Sequence, residues 1–279
     1  MAVAVNASND KSLSSCRVLV TGAGTGIGRG VGLEFAAAGA ALVFHYSASS
    51  LGAETAVEEV LRAGGSAKAI QADLNDVEQI SRLGSEAIDF LGGLDVLVNN
   101  AGITLTESFD RVSPETYDEV FNVNMRGMYF LTQQVLPALR DGGGSVVNVS
   151  SIHAYAAMSE HSLYAATKGA IVAFTRSLAL ELIKQDIRVN GIAPGWILVE
   201  KHRAAMPPGF DFDAAERTIP AGFIGTPRDV GRLAIFLASE GSRYIVGQTI
   251  LLDGGQSLVM PLADRISDLF GGVPPSRPE

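Results

Sequence analysis

Early in the chain a short apolar run, Arg17–Thr21, passes through Gly22-Ala-Gly-Thr-Gly-Ile-Gly28 into a helical pattern, Val31–Ala38, which Gly39 closes. Few folds accommodate such a passage from strand through glycine turn to helix. Glycines let the backbone turn sharply and let a ligand approach with no Cβ in the way. The unpaired amides at a helix start attract a pyrophosphate. Taken alone, the turn suits either a bound nucleotide or a tight structural corner.

The rest of the chain repeats the alternation. Strand-like runs fall at Ala41–Tyr46, Ala67–Asp73, Leu94–Asn99, Ser145–Ser150, Arg188–Ala193 and Thr249–Asp253, with helical patterns near 51–63, 76–91, 114–139, 162–184 and 227–238 between them. Strands that alternate with helices predict an α/β fold, a doubly wound parallel sheet with helices on both faces. Ligands of such sheets lie beyond the carboxyl ends of the strands. Thr21, Tyr46, Asp73, Asn99 and Ser151 each fall at or just after such an end. One sheet edge therefore gathers them.

Tyr164 and Lys168 stand four apart in Tyr-Ala-Ala-Thr-Lys, so on a helix both side chains leave one face. A cation held beside a phenol favours its ionised form, which makes a usable acid and base. The same spacing also suits an ordinary surface pair. Ser151 precedes Tyr164 by thirteen residues, at the end of an apolar strand, where its hydroxyl could share one substrate oxygen with the phenol.

The 279 residues, 47% hydrophobic, suffice for one large α/β domain, and no Pro/Ser-rich linker divides the middle. A net charge of −9 with no basic stripe argues against a nucleic-acid partner. The single Cys16 has no internal disulfide partner and fits a reducing compartment. With no cationic start and no apolar stretch of spanning length, the expectation is a cytoplasmic protein with no membrane partner. His45, His153, His161 and His202 show no paired ligand spacing, so no metal is expected.

Together, Thr21–Gly28 (TGAGTGIG), Asn99–Gly102 (NNAG), Asn124 in NVNMRG, Ser151 and Tyr164–Lys168 (YAATK) resemble the motif set of the short-chain dehydrogenase/reductase family, in order and spacing over roughly 16–255. The resemblance implies a single-domain Rossmann fold with a doubly wound seven-stranded parallel sheet, and hydride transfer between a nicotinamide nucleotide and an alcohol or carbonyl compound. It makes Tyr164 the proton donor in reduction and Ser151 the binder of the reacting oxygen. Lys168 would hold the nicotinamide ribose, and Asn124 would support a water leading from the lysine to solvent. An amide that only satisfies backbone at a helix kink is the plainer reading of Asn124, and both can hold. Gly22, Thr25, Gly26, Ile27 and Gly28 would cradle the pyrophosphate. Asp73 and Leu74 would lie at the adenine, with helix capping as the alternative for Asp73 and Asn75 the better-placed cap. Asn99, Ala101 and Gly102 would lie beside the adenosine ribose, with Asn100 tying strands together. Pro194, Gly195 and Ile197 would border the nicotinamide.

Tyr46 stands where relatives that prefer NAD carry Asp, so nothing there repels a 2′-phosphate, and Ser47 and Ser49 offer hydroxyls. Neither Thr25 nor Ser47 is the Arg or Lys that users of NADP often carry. The expectation is NADP, with NAD or dual use as the alternative. His45 is read as packing on the sheet. On the substrate side His153, Met158, His161 and Trp196 join Ser151, and this mixed lining suggests a sugar, polyol or related small ketone. Residues 198–223 are expected to form a mobile lid, residues 1–14 a leader, 15–255 the catalytic domain and 256–279 an extension. Leu198-Val199-Glu200 replaces a Thr that the family often carries. The helix over 162–184 is apolar almost all round, and the family expectation is a homotetramer. Two other functions stay open. One is a 3-oxoacyl-thioester reductase, for which Arg126, Arg140 and Arg203 are too scattered to decide. The other is a nucleotide-sensing protein without chemistry.

Overall fold

A computed structural model describes residues 13–259. The leader expected over 1–14 and the extension expected over 256–279 therefore lie almost wholly outside the described residues. Seven strands form one sheet in the order β3-β2-β1-β4-β5-β6-β7. They are β1 (Arg17–Val20), β2 (Ala41–Tyr46), β3 (Ala67–Gln71), β4 (Val96–Asn99), β5 (Gly144–Val149), β6 (Ile187–Pro194) and β7 (Thr249–Leu252). Every pairing is parallel. The order reverses between β1 and β4, which opens a crevice above their carboxyl ends.

The alternation of side chains along each strand divides the core between two faces. Val18, Val20, Leu42, Phe44, Val96, Val98, Val147 and Val149 pack against α1 (Gly26–Ala37), α2 (Ser50–Arg62) and α9 (Pro227–Ala238). Leu19, Val43, Leu97, Val146 and Val189 face α3 (Val77–Leu91), α5 (Gly127–Arg140) and α6 (Ser162–Leu182). Each aliphatic side chain fully buried this way contributes about 1.5–3 kcal/mol.

One helical expectation is revised. The pattern over 114–139 is not one helix: α4 (Pro114–Phe121) runs into a π-helical turn, Asn122–Arg126, before α5 begins. In that turn Asn122 O accepts from Gly127 N, five residues on, so the helix widens where Asn124 turns inward. Residues 198–223, expected as a lid, contain two short helices, α7 (Glu200–Ala205) and α8 (Phe212–Arg217). At the start of α3 the cap is Asp76, which accepts from the amides of Glu78 and Gln79. Neither Asp73 nor Asn75 caps it.

Candidate active site

The carboxyl edge of the sheet borders a cleft of about 1310 Å³ that reaches from the glycine turn to His153, Tyr164 and Trp196. Among the residues anticipated from sequence, Gly22, Thr25, Gly26, Ile27, Tyr46, Ser47, Asp73, Leu74, Ala101, Gly102, Ser151, His153, His161, Tyr164, Lys168, Pro194, Gly195, Trp196 and Ile197 line it. The structure brings these together from at least five strand ends.

The glycine turn is held by close approach. Gly22 adopts φ +62°, and a Cβ there would sit 2.8 Å from Ala101 Cα. A Cβ on Gly28 would lie 2.4 Å from Gly22 O, which ties the first turn of α1 to the strand that feeds it. Asn100 locks the corner by donating to the carbonyls of Thr21 and Gly22 at 2.9 and 3.2 Å. Thr25, the N-cap of α1, makes no side-chain cap bond, so the opening amides face the cleft with their donors unspent. Space, glycines and amides fit a dinucleotide.

His45 does more than pack. Its Nε2 lies 3.1 Å from Ala72 O, a group that can only accept, so Nε2 carries the proton and Nδ1 accepts from Gly22 N at 3.1 Å. Burial pushes its pKa down to about 4, against weaker upward pulls from Ala72 and Asp73. A neutral imidazole thus braces the glycine turn from β2.

Asn99 departs from expectation. Its side chain turns into the sheet, where Nδ2 donates to Thr132 Oγ1 and Asn148 Oδ1, both at 3.0 Å. Asn148 in turn donates to Thr175. The amide serves the core rather than the cleft. Asp73 lines the cleft, and its Oδ1 accepts from the main chain and side chain of Asn75 at 2.9 and 3.0 Å.

At the other end, β5 delivers Ser150 and Ser151. Ser150 Oγ donates to Lys168 O at 2.8 Å, anchoring α6 to the strand end. Ser151 Oγ accepts from the His153 amide at 3.1 Å, which occupies a lone pair and leaves its proton for another acceptor. Lys168 is 3% exposed and donates to Val149 O at 3.0 Å. Its ammonium lies 5.4 Å from the centre of the Tyr164 ring. Asn124 is wholly buried: Oδ1 accepts from Ile103 N at 2.8 Å, and Nδ2 donates to Ile103 O and Thr167 Oγ1 at 3.0 and 3.1 Å. Its side chain therefore performs the backbone-satisfying role. Thr167 and the bracing role of His45 were missed, while Asn100 ties strands together as expected. A Thr beside the Lys and a His at a strand end carry no distinguishing spacing.

His153 and His161 stack 5.0 Å apart at 11°, and His153 meets the edge of Tyr164 at 5.8 Å. Trp196, which lines the cleft, packs edge-on against Phe210 at 6.2 Å, and Phe210 against Phe212 at 5.0 Å. No helix among the described residues is long and apolar enough to cross a membrane. No group of three or more candidate metal ligands occurs among them.

A nucleotide cradle and a Tyr–Lys–Ser group at opposite ends of one cleft define a nucleotide-dependent oxidoreductase. A family model described as enoyl-(acyl carrier protein) reductase matches residues 22–257. A hydroxynaphthalene reductase-like protein of Metarhizium brunneum is 38% identical over 256 residues, 88% of this chain and 96% of that protein. A short-chain dehydrogenase/reductase of Aspergillus aculeatus is 36% identical over 247 residues, 85% of this chain and 94% of its own length. The crystal structure of an acetoin dehydrogenase from Salmonella typhimurium superposes with a TM-score of 0.81 at 29% identity, covering 89% of this chain and 98% of that one. The chain belongs to the short-chain dehydrogenase/reductase family. It is an oxidoreductase of alcohols and carbonyl compounds that uses a nicotinamide nucleotide.

Proposed function

We propose that this enzyme reduces the carbonyl of a small hydroxylated ring compound with NADPH. The observation that carries the reading is the shared cleft: the Ser151 hydroxyl, the Tyr164 phenol and the Lys168 ammonium lie at one end and the glycine turn at the other. The nicotinamide, when bound, supplies the hydride. As negative charge builds on the substrate oxygen, Ser151 donates to it and Tyr164 hands over its proton, so donor and acid act on one atom. Lys168, fixed on Val149 O, offsets the charge left on the phenol and orients the ribose. Asn124 holds the widened helix beside them and supports a water leading from the lysine to solvent.

Several features support NADPH over NADH. Tyr46 brings no carboxylate to the end of β2, and neither Thr25 nor Ser49, the N-caps of α1 and α2, spends its side chain on a cap bond. Their hydroxyls and the Ser47 hydroxyl stay available to a phosphate. Arg29 is engaged with Glu59 at 3.2 Å and with Gly52 O, so hydroxyls and amides carry the recognition. The ring preference follows from the flat wall of His153 and His161 and from the aromatic cover of Trp196, Phe210 and Phe212. It agrees with the hydroxynaphthalene reductase-like relative. Open-chain sugars and polyols, the class anticipated from sequence, are the competing substrates. The arginines that a carrier-protein substrate needs are dispersed, with Arg140 on Gln185 and Arg126 on Asn75 O. We also assign a homotetramer in the cytoplasm. Tyr129 is 45% and Leu180 74% exposed, which leaves an apolar surface on α5 and α6 for another subunit.

The test is titration with NADPH and NADH followed by fluorescence, then absorbance at the nicotinamide band with cyclic ketones, hydroxyarene ketones, ketoses and polyols. Tighter NADPH binding with turnover on ring ketones is the expected result. NADH preference, or turnover confined to open-chain polyols, would overturn the corresponding half of the proposal.

A further inference from the structure

Within that reading, which this inference deepens, the paired histidines beside Tyr164 differ in how their ring nitrogens are bonded. Two ring nitrogens of the paired histidines have fixed roles. His161 Nδ1 lies 2.9 Å from Ser159 O, an acceptor only, so it holds the proton. Its Nε2 then accepts from the Thr106 hydroxyl at 3.3 Å. His153 is different: Nδ1 is buried without any hydrogen-bond partner. A buried N–H with no acceptor is among the costliest arrangements, whereas a lone pair left unused costs less. The proton of neutral His153 therefore resides on Nε2. That nitrogen is not among the buried, partnerless atoms, and the residue lines the cleft. Burial, with His161 stacked alongside, holds the His153 pKa below the usual histidine range, so the ring stays neutral at pH 7.

The position of this donor narrows the substrate. His153 follows Ser151 by two residues, its main-chain amide bonds to Ser151 Oγ at 3.1 Å, and its ring touches the edge of Tyr164. Ser151 and Tyr164 attend the reacting oxygen. We propose that His153 Nε2–H donates a hydrogen bond to a second oxygen on the substrate, so that the enzyme selects ring ketones bearing a hydroxyl or carbonyl near the reacting carbonyl. The stacked His161 keeps the donor in plane by confining the His153 ring between itself and Tyr164. A plain ketone leaves the Nε2–H facing an apolar ring with no acceptor. Discrimination against an analogue lacking the oxygen follows from that unpaired donor.

Two readouts test this. The first is kcat/KM for cyclohexanone against alpha-hydroxycyclohexanone, and for alpha-tetralone against its peri-hydroxylated analogue. It is measured in the wild type, His153→Phe, which keeps a flat ring without the donor, and His153→Gln, whose amide reaches the same position. The wild type should favour the hydroxylated partner by about tenfold or more. His153→Phe should bring the ratio close to one, and His153→Gln should restore most of it. No preference in the wild type, or a preference that survives in His153→Phe, would overturn the proposal. The second readout is long-range proton–nitrogen NMR of the NADPH-bound protein. It should find the His153 proton on Nε2, with that nitrogen shifting on addition of the hydroxyketone. A proton on Nδ1 would overturn it. If no ketone is turned over at all, the reductase reading fails, and the NMR result still decides the donor.

Discussion

Thr167 donates its hydroxyl to the main-chain carbonyl of Tyr164 at 2.7 Å while accepting from Asn124 Nδ2 at 3.1 Å. The side chain is fully buried. The π-helical turn that carries Asn124 and the first turn of α6 that carries Tyr164 are thereby joined through one oxygen. Thr167→Val keeps the shape and removes the oxygen, leaving an amide donor of Asn124 unpaired at a cost of about 1–3 kcal/mol. We expect kcat to fall about tenfold with nucleotide KM nearly constant, and Thr167→Ser to recover most of the loss. Equal activity of the Val and Ser variants in steady-state kinetics would show that this link positions nothing.

Replacing Tyr164 by Phe removes the proposed acid but not the ring that packs on His153. Turnover should drop by about 10²–10⁴, while NADPH titration should return a dissociation constant close to that of the wild type. A variant that retains more than about a tenth of wild-type kcat would move proton transfer elsewhere.

The proposed preference for NADPH turns on one position. Tyr46→Asp places a carboxylate at the end of β2, where it repels a 2′-phosphate and accepts from ribose hydroxyls. The ratio of NADPH to NADH affinity should fall by at least about tenfold, read from fluorescence titrations at matched ionic strength. An unchanged ratio would mean that the phosphate lies away from Tyr46.

His45 sets an acid limit. Its pKa is about 4 in the folded chain against an ordinary 6.5, so between those values the unfolded chain takes up a proton that the folded one refuses. Stability from this group is complete above about pH 6.5, falls as pH drops, and levels off below about pH 4. The total is about 3 kcal/mol. His45→Asn, which cannot titrate, should flatten this part of the profile in urea unfolding at pH 7 and pH 5. The same loss in both proteins would assign the acid sensitivity to other groups.

What the sequence disclosed and what it hid have physical reasons. The glycine turn and the Tyr–Lys pair were legible because each shows as a residue spacing within one short stretch of sequence. The central strands were legible because burial on both faces leaves continuous apolar runs, as in β1, β4 and β5. Asn99 was misread because adjacent asparagines in NNAG are indistinguishable until the pleat decides which faces inward. The π-helical turn was hidden because one added residue barely perturbs an apolar pattern. His45 looked like a packed ring because its two acceptor and donor partners, Gly22 and Ala72, come from different parts of the chain. Asp76 rather than Asn75 caps α3 because a one-residue shift at a helix start is beyond what spacing resolves.

Asn99 and Asn148 lie opposite each other in the pairing of β4 with β5, and their amides meet at 3.0 Å in the interior. Parallel strands of valine and leucine have little to tell one alignment from the next. Sliding β5 by one residue would send Asn148 to the opposite face, and sliding it by two would set it against Leu97, so either misalignment buries an amide with nothing to bond. The pair acts as a proofreading device for assembly of the sheet centre. That register also delivers Ser150 and Ser151 to the cleft.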